Sequence, residues 1–453
     1  MIKIIKAKKI LIFAFFSLLW GQWLETRIFL PESGPSSLYY ACWDSIDNKV
    51  YFASSMGWQL FVIDGERNEL LKAFRLPNYV YSLIYNPIVN KIYCGIYRYI
   101  LVFDCKTDSL IKTIPFPTPY PDEMILNTKH NKLYVVPWWL TISYVIDCYK
   151  DSIIKLIPLY VGAYDPGSDR VYALSNRRLT ILDGKSDSII KTVNEFVNPS
   201  YWTLNTRNNK YYFVGEDNLV IKIFDGKNDS LIKKQFAESG EFFGGFVYNP
   251  INNKIYCAVI NNNIGEDTLS IPVIDGEIDS LNERIILFTK DGGASVFYNS
   301  INNKLYCIGE IYMDSIIFHR LWVIDCASHS IIREFEMPQF TGYTWNKKNN
   351  RFYISAANCS VYVFRDEIPG IYENPSLLKA KDFKILPNLG NSFKIFSQGN
   401  EETKIEIYNS FGRKVKSFNL KPGASFFIGE LSSGIYFLKA KKKENIDKLI
   451  FVK

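Results

Sequence analysis

Along most of the chain, hydrophobic and polar positions alternate with a period of two, in runs broken every few residues by turn-forming residues, which predicts short β-strands and disfavours helices. Residues 80–114 set the pattern. Val80 to Tyr85, Lys91 to Ile96, Ile100 to Phe103 and Ser109 to Ile114 form four expected strands, a to d, with turns at Asn86-Pro87 and Asp104 to Asp108. Two markers then recur. The first is Asn/Asp-Lys/Arg-x-Tyr, with its tyrosine at Tyr51, Tyr93, Tyr134, Tyr172, Tyr212, Tyr256, Tyr306 and Tyr353. The second is an apolar run ending in Asp-Gly or Asp-Cys, usually with Asp-Ser shortly after, starting at Asp64, Asp104, Asp147, Asp183, Asp225, Asp275 and Asp325.

A repeat of about 43 residues built from four antiparallel strands predicts an all-β chain folded as a β-propeller. Trp23 to Leu30 resembles a strand d with nothing before it, while Thr341 to Phe364 supplies a, b and c without d. Joining these fragments in one blade predicts eight blades and removes the open sheet edges. Seven is the fallback if a weak unit such as the fourth is irregular.

Composition narrows the chemistry. With 47% hydrophobic and 22% charged residues the chain has the material for packed cores, and 16% aromatics favour strands. Only His130, His319 and His329 are available for histidine-based metal or acid/base chemistry. The net charge of +7 is concentrated at the ends: Lys3, Lys6, Lys8 and Lys9 at one, and 14 Lys/Arg against 7 Asp/Glu in residues 381–453 at the other. The repeat region is therefore net acidic, which argues against nucleic-acid binding.

A basic start, the apolar run Ile10 to Trp20 and the polar resumption at Gly21-Gln22 have the layout of a secretory signal peptide, residues 1–21. The run is about 11 residues, short of the ~20 that span a bilayer, so no transmembrane segment is expected. Cys94, Cys257 and Cys307 follow the marker tyrosine, and Cys105, Cys148 and Cys326 replace the marker glycine. Equivalent positions of successive repeats are expected beyond the ~7 Å reach of a disulfide, which predicts buried free thiols. Cys42 and Cys359 stand outside this pattern.

The Asp-Gly-x-x-Asp-Ser loops offer too few converging carboxylates for calcium, often with Lys between them, so turn chemistry is expected: Asp capping, Gly supplying positive φ, Ser bonding locally. The marker tyrosine is expected to pack between blades, and His329, in place of a loop Asp, to be a solvated surface residue. No cofactor, metal or catalytic box is expected. The variable d-to-a and b-to-c loops share one face and carry Trp58, Tyr79, Tyr97, Arg98, Tyr99, Trp138, Trp139, Arg177 and Arg178, rings and guanidinium groups suited to a glycan or peptide ligand. The rival reading is a lyase or glycosidase using channel-mouth carboxylates such as Asp122 and Glu123. A monomer is expected.

Asn253-Lys254-Ile255-Tyr256 followed by Pro272-Val273-Ile274-Asp275-Gly276 resembles the YVTN-type propeller repeats of bacterial and archaeal surface proteins, over roughly residues 23 to 366. After an expected linker at 367–381, residues 382–453 form short strands expected to make a small β-sandwich. This segment resembles the type A C-terminal sorting domain of the type IX secretion system through Leu386-Pro387-Asn388, Lys404 to Asn409, Phe411-Gly412-Arg413-Lys414-Val415, Leu431 to Phe437 and Lys448-Leu449-Ile450. Leu389 departs from the second proline frequent there. The resemblance implies contact with the type IX machinery, passage through periplasm and outer membrane, and release or surface attachment.

Overall fold

The computed structural model describes residues 22–30, residues 40–366 apart from 56, 177, 196, 216–217, 239–240, 262–268, 289–291 and 314–315, and the strands between 383 and 451. The expected signal peptide, the linker at 367–381 and Arg177 lie outside the described residues. Every regular element described is a β-strand, and no helix among the described residues is long and apolar enough to cross a membrane.

One compact unit is Gln22–Asp366. Successive groups of four antiparallel strands span 40–75, 80–115, 121–157, 160–193, 198–236, 241–288 and 292–337. In the second group the strands are Val80–Asn86, Lys91–Ile96, Tyr99–Asp104 and Ser109–Pro115, within one residue of expectation at each end. The last group completes itself across the chain: Gln22–Phe29 pairs antiparallel with Ser360–Asp366, from Trp23 opposite Arg365 to Phe29 opposite Ser360. The sixth and seventh groups are joined into one eight-stranded sheet, because strand b of the sixth, Lys254–Asn261, overhangs and pairs Val259 with Ala294 and Ile260 with Gly293.

Strands b and c are almost wholly buried, whereas strand d is exposed over most of its length. The cores therefore lie between neighbouring groups. Leu60 and Val62 pack with Ile92 and Phe103 of the next group, and Val50 and Phe61 pack with Ile28, Tyr353 and Val363, which ties the first group to the last. Each such side chain contributes roughly 1.5–3 kcal/mol by leaving water. Lysines on the outer strands keep the exposed edges from pairing with other chains.

The sequence markers meet at one end of the groups as clasps between neighbours. Lys49 and Tyr51 share Asp108 at 2.7 and 2.9 Å, Lys91 and Tyr93 share Asp151 at 2.6 Å each, and Lys210 and Tyr212 share Asp279 in the same way. The marker tyrosine thus does more than pack: it donates to the second loop Asp of the following group. A second series runs through asparagines, with Asn86 Nδ2 donating to Asn131 Oδ1 at 2.7 Å and Asn346 Nδ2 to Asn48 Oδ1 at 2.8 Å, the latter again linking last to first.

Two expectations about these loops are corrected. Positive φ belongs to the second Asp, as at Asp108, Asp151 and Asp187 with φ of 50°, 49° and 57°, and not to the glycine. Glycine is there for close approach: a Cβ on Gly65 would sit 2.5 Å from the Asn48 carbonyl oxygen. Where cysteine replaces it the loop yields, since the N–H of Cys105, Cys148 and Cys326 lies 3.1–3.2 Å from its carbonyl partner, against 2.8–2.9 Å for Gly65, Gly184, Gly226 and Gly276. His329 is likewise no solvated residue. Its Nε2 meets Tyr256 Oη at 2.9 Å and its Nδ1 meets Glu283, because it occupies the clasp position of an Asp. All eight cysteines carry free thiols, six of them buried.

The C-terminal strands form two sheets. One holds Phe383–Leu386, Phe393–Ser397 and Ser425–Ile428; the other holds Leu389–Gly390, Ile446–Phe451, Gly434–Ala440, Thr403–Asn409 and Lys414–Leu420. Ile395 and Ile428 of the first and Ile405, Ile407, Leu420 and Leu438 of the second share a core.

Candidate binding site

Register assigns the loops to ends. Asn86 opposite Lys91 closes the a–b turn at the clasp end, so Val80 opposite Ile96 puts the start of strand a beside the b–c turn at the other end. There the repeats diverge. The b–c turns use a left-handed residue, which is Asn176 in the fourth group, Asn218 in the fifth and Cys359 in the last, asparagine being the ordinary choice for positive φ. In the first three groups the left-handed residues of these turns are Trp58, Arg98 and Trp139, with φ of 53°, 61° and 66°. A bulky residue there costs of order 1–3 kcal/mol, and such strain gathers at functional sites.

These tips and the connections beside them carry two sets of touching rings. Trp58 meets Tyr79 edge-on at 5.5 Å. Tyr120 touches Tyr81 at 5.2 Å, Tyr97 at 5.7 Å and Trp138 at 6.0 Å, and Trp138 stacks on Trp139 at 5.0 Å. The Arg98 guanidinium lies 5.6 Å from the centre of the Tyr97 ring. Trp139 is 81% exposed and Trp138 49%, so the stack ends in an open indole face. Burial and the closeness of Tyr120, Tyr79 and Tyr97 push the Tyr81 hydroxyl above its ordinary value, keeping it a neutral donor and acceptor.

Local backbone devices assemble the cluster. Strand a bulges at its start in the second group, between Val80 and Ser82, and in the third, between Pro121 and Glu123, which re-aims Tyr81 and Asp122. The Arg98 N–H donates to Pro119 O at 3.0 Å and the Trp138 N–H to Tyr120 O at 3.0 Å, fixing the connection that carries Tyr120. Gly95 permits the approach: a Cβ there would lie 2.3 Å from Ser82 Oγ, which itself donates to Pro121 O at 2.6 Å.

Of the sequence-derived site residues, Tyr97, Arg98, Trp138 and Trp139 therefore come together through Tyr120, and Trp58 pairs with Tyr79 beside them. Tyr99 instead lines a mainly apolar groove of 340 Å³ with Phe74, Leu76, Pro77 and Leu101. Arg178 is exposed at the start of Arg178–Asp183 in the fourth group. Tyr81 and Tyr120 were not among the expected residues. Tyr81 is masked by strand alternation, and Tyr120 stands in the Pro117-Thr118-Pro119-Tyr120-Pro121 connection, whose prolines announce a turn but not where the ring goes. Asp122 is half-buried, and burial together with the charge of Glu123 raises its carboxyl above the usual range.

Residues 384–453 match the family described as the secretion system C-terminal sorting domain. In structure the chain is similar to dihydro-heme d1 dehydrogenase NirN in complex with DHE, at 12% identity and a TM-score of 0.57 over 67% of this chain and 66% of that one, so it spans just under two thirds of NirN. It is also similar to the computationally designed Ika8 protein, at 12% identity and a TM-score of 0.54 over 76% of this chain and all of that one. No curated protein sequence matches it. At such identities the likeness concerns fold alone. The protein is a β-propeller-like module joined to a sorting domain. That sorting domain is of the type IX secretion kind; it implies interaction with the type IX machinery and indicates a secreted or cell-surface protein.

Proposed function

We propose that this chain is an exported binding protein. A signal peptide at 1–21 starts its export, an eight-bladed propeller of YVTN-like repeats spans 22–366, and a linker at 367–381 leads to a β-sandwich at 382–453 that engages the type IX machinery. The propeller presents Trp58, Tyr79, Tyr97, Arg98, Trp138 and Trp139, joined by Tyr81 and Tyr120, as a platform for a glycan or peptide. Arg178 and Tyr99 flank it, and Arg177, the remaining candidate from the sequence, lies outside the described residues. The carrying observation is that three consecutive groups use a bulky residue, Trp58, Arg98 or Trp139, as a left-handed residue of the b–c turn.

The test is a glycan and peptide array probed with the exported full chain and with W138A/W139A. The double variant loses the array hits while its melting temperature stays nearly unchanged, because Trp139 is 81% exposed. A loss of stability nearer the ~3–5 kcal/mol of a buried ring would make the pair structural and place the binding face elsewhere. The enzymatic alternative has one observation in its favour, the raised carboxyl of Asp122 beside Glu123. Turnover of an array hit that is abolished by D122N would favour it.

A further inference from the structure

The groove lined by Tyr99 lies between the outer strands of the first and second groups and reaches both sets of rings. Phe74 and Leu76 come from the first group, and Tyr99, Leu101, Leu110 and Thr113 from the second. Leu101 stands opposite Thr113, so both side chains leave the sheet on the face turned to the first group. The Leu76 N–H donates to Trp58 O at 2.6 Å, and Tyr99 follows Arg98 in the turn that carries Tyr97. Tyr99 is 44% exposed and Leu110 49%. Almost all of the surface that the groove offers is carbon.

Such a lining selects an apolar group. At 340 Å³ the space stands at the lower end of the ~300–1,000 Å³ of ligand pockets. A sugar seated there would strip water from its hydroxyls and regain no hydrogen bonds, whereas a leucine or phenylalanine side chain would cover exposed carbon without that cost. Charge narrows the choice further. No acidic residue lines the groove. Beyond Tyr99 stands Arg98, whose guanidinium rests against the Tyr97 ring and pairs with no carboxylate among the described residues. Towards the other end, Lys72 lies 4.5 Å from the centre of the Phe74 ring and donates to the Asp108 carbonyl instead of a carboxylate. Lys72 and Leu76 are separated by roughly 13 Å of extended chain, a span that about four or five peptide residues cover. A fatty acid would bring one carboxylate to one end. A peptide with acidic residues on both sides of an apolar one meets both cations.

We propose that the groove seats a bulky apolar side chain of an acidic peptide, which makes the ligand of this face a peptide and not a glycan; the assignment rests on the platform reading for the peptide's remaining contacts. The experiment is fluorescence polarisation of the full chain with labelled octapeptide pools, their centre fixed as Leu, Phe or Trp or as Ser or Asn, and their flanks as Asp/Glu or as Lys. Pools with an apolar centre and acidic flanks bind at least tenfold more tightly than the others. L110D, which puts a charge into the groove from an exposed position, weakens that binding at least tenfold. Should L110D fail to fold, T113W fills the groove from another exposed position and serves in its place. Binding by no pool, equal binding of the Ser/Asn or Lys pools, or unchanged affinity in a folded L110D or T113W overturns the proposal. W138A/W139A is carried through the same titration and separates the two readings. Binding that this variant abolishes but that ignores L110D leaves the platform standing and removes the groove, whereas binding lost in L110D and unchanged in W138A/W139A supports the groove and removes the platform.

Discussion

Arg351 and Glu25 form a two-pronged ion pair, Nε to Oε2 and Nη2 to Oε1 at 2.7 Å each, across 326 positions of sequence. Glu25 belongs to the N-terminal strand and Arg351 to the last group of strands, so the pair fastens the strand that completes that group. The same arginine donates through Nη1 to the carbonyls of Gly65 and Glu66 at 2.8 Å, in the first group. One side chain thus joins the first group, the last group and the N-terminal strand. Asn68 stands where other loops have the clasp Asp, and without that carboxylate the arginine turns to backbone and to Glu25.

This arrangement makes the N-terminal strand matter beyond its length. Removing Trp23 to Leu30 exposes the edge of Ser360–Asp366, leaves Arg351 without its carboxylate and uncovers Ile28 and Leu30 of the first-to-last core. The expected result is a clear drop in melting temperature, whereas a chain starting at Gln22 melts like one carrying the full N-terminus. Equal melting temperatures for the two truncations would contradict closure through this strand.

The clasps predict a strong dependence on paired charge. Lys304 Nζ lies 2.7 Å from Asp366 Oδ1 with side chains only 4% and 3% exposed, and Asn299 Nδ2 donates to the other oxygen at 2.7 Å. Burial raises the Asp366 carboxyl and Lys304 opposes that rise. Replacing Lys304 by Met leaves the buried carboxylate without its cation and costs about 3–5 kcal/mol in urea unfolding at pH 7. K304M/D366N should recover more than half of this. A cost under about 1 kcal/mol for K304M would mean that water reaches the carboxylate after all.

How much of this was legible follows from what a sequence repeat encodes. The marker residues fixed strand positions to within a residue and identified the partner of the N-terminal strand, because alternation and turn residues act locally and recur. The same repetition concealed the clasps. Tyr93 and Asp151 lie in different repeats, and nothing in either motif tells a local turn bond from a bond to the next group. Glycine was assigned to positive φ by its usual habit, while the actual constraint, the Asn48 carbonyl 2.5 Å from a would-be Cβ, is a contact between strands. The aromatic cluster was partly visible because exposed Trp138-Trp139 interrupts the pattern. Tyr120 was not, since a ring in a proline-rich connection takes its direction from the neighbouring group.

His329 has a consequence for pH. With His329 in place of the clasp Asp of the neighbouring loop, Lys254 turns to Asp275 of its own group at 2.9 Å. Its hydrogen bond holds the Asp275 carboxyl below the usual value, aided by the N–H groups of Glu277 and Ile278. A carboxyl lowered on folding adds stability above its unfolded value of about 3.9 and loses it as pH falls through the folded value. K254M should therefore melt below the wild type at pH 7, by an amount equivalent to roughly 0.3–1 kcal/mol for this part-exposed pair, with the gap closing below about pH 4. A gap that persists unchanged at pH 2 would assign the loss to the lysine's packing instead.

The sorting segment should be dispensable for folding and required for delivery. Among the described residues, the core of the C-terminal strands is built from Ile395, Ile405, Ile407, Leu420, Ile428 and Leu438, with Phe418, Ala424 and Phe426 against it, whereas the clusters of Gln22–Asp366 are built from residues between Ile28 and Phe364. Deleting 382–453 removes no member of those clusters, so the shortened chain should keep its melting temperature to within a few degrees. Residues 384–453 are what matches the secretion-system sorting domain, and their loss should leave the chain inside the outer membrane. Fractionation of cells expressing the two lengths reads this directly: full chain at the surface or in the medium, shortened chain in the periplasm. Surface display of the shortened chain at the normal level would mean that delivery depends on the strand-repeat unit, and a shortened chain that fails to fold would show that the two regions are coupled in stability.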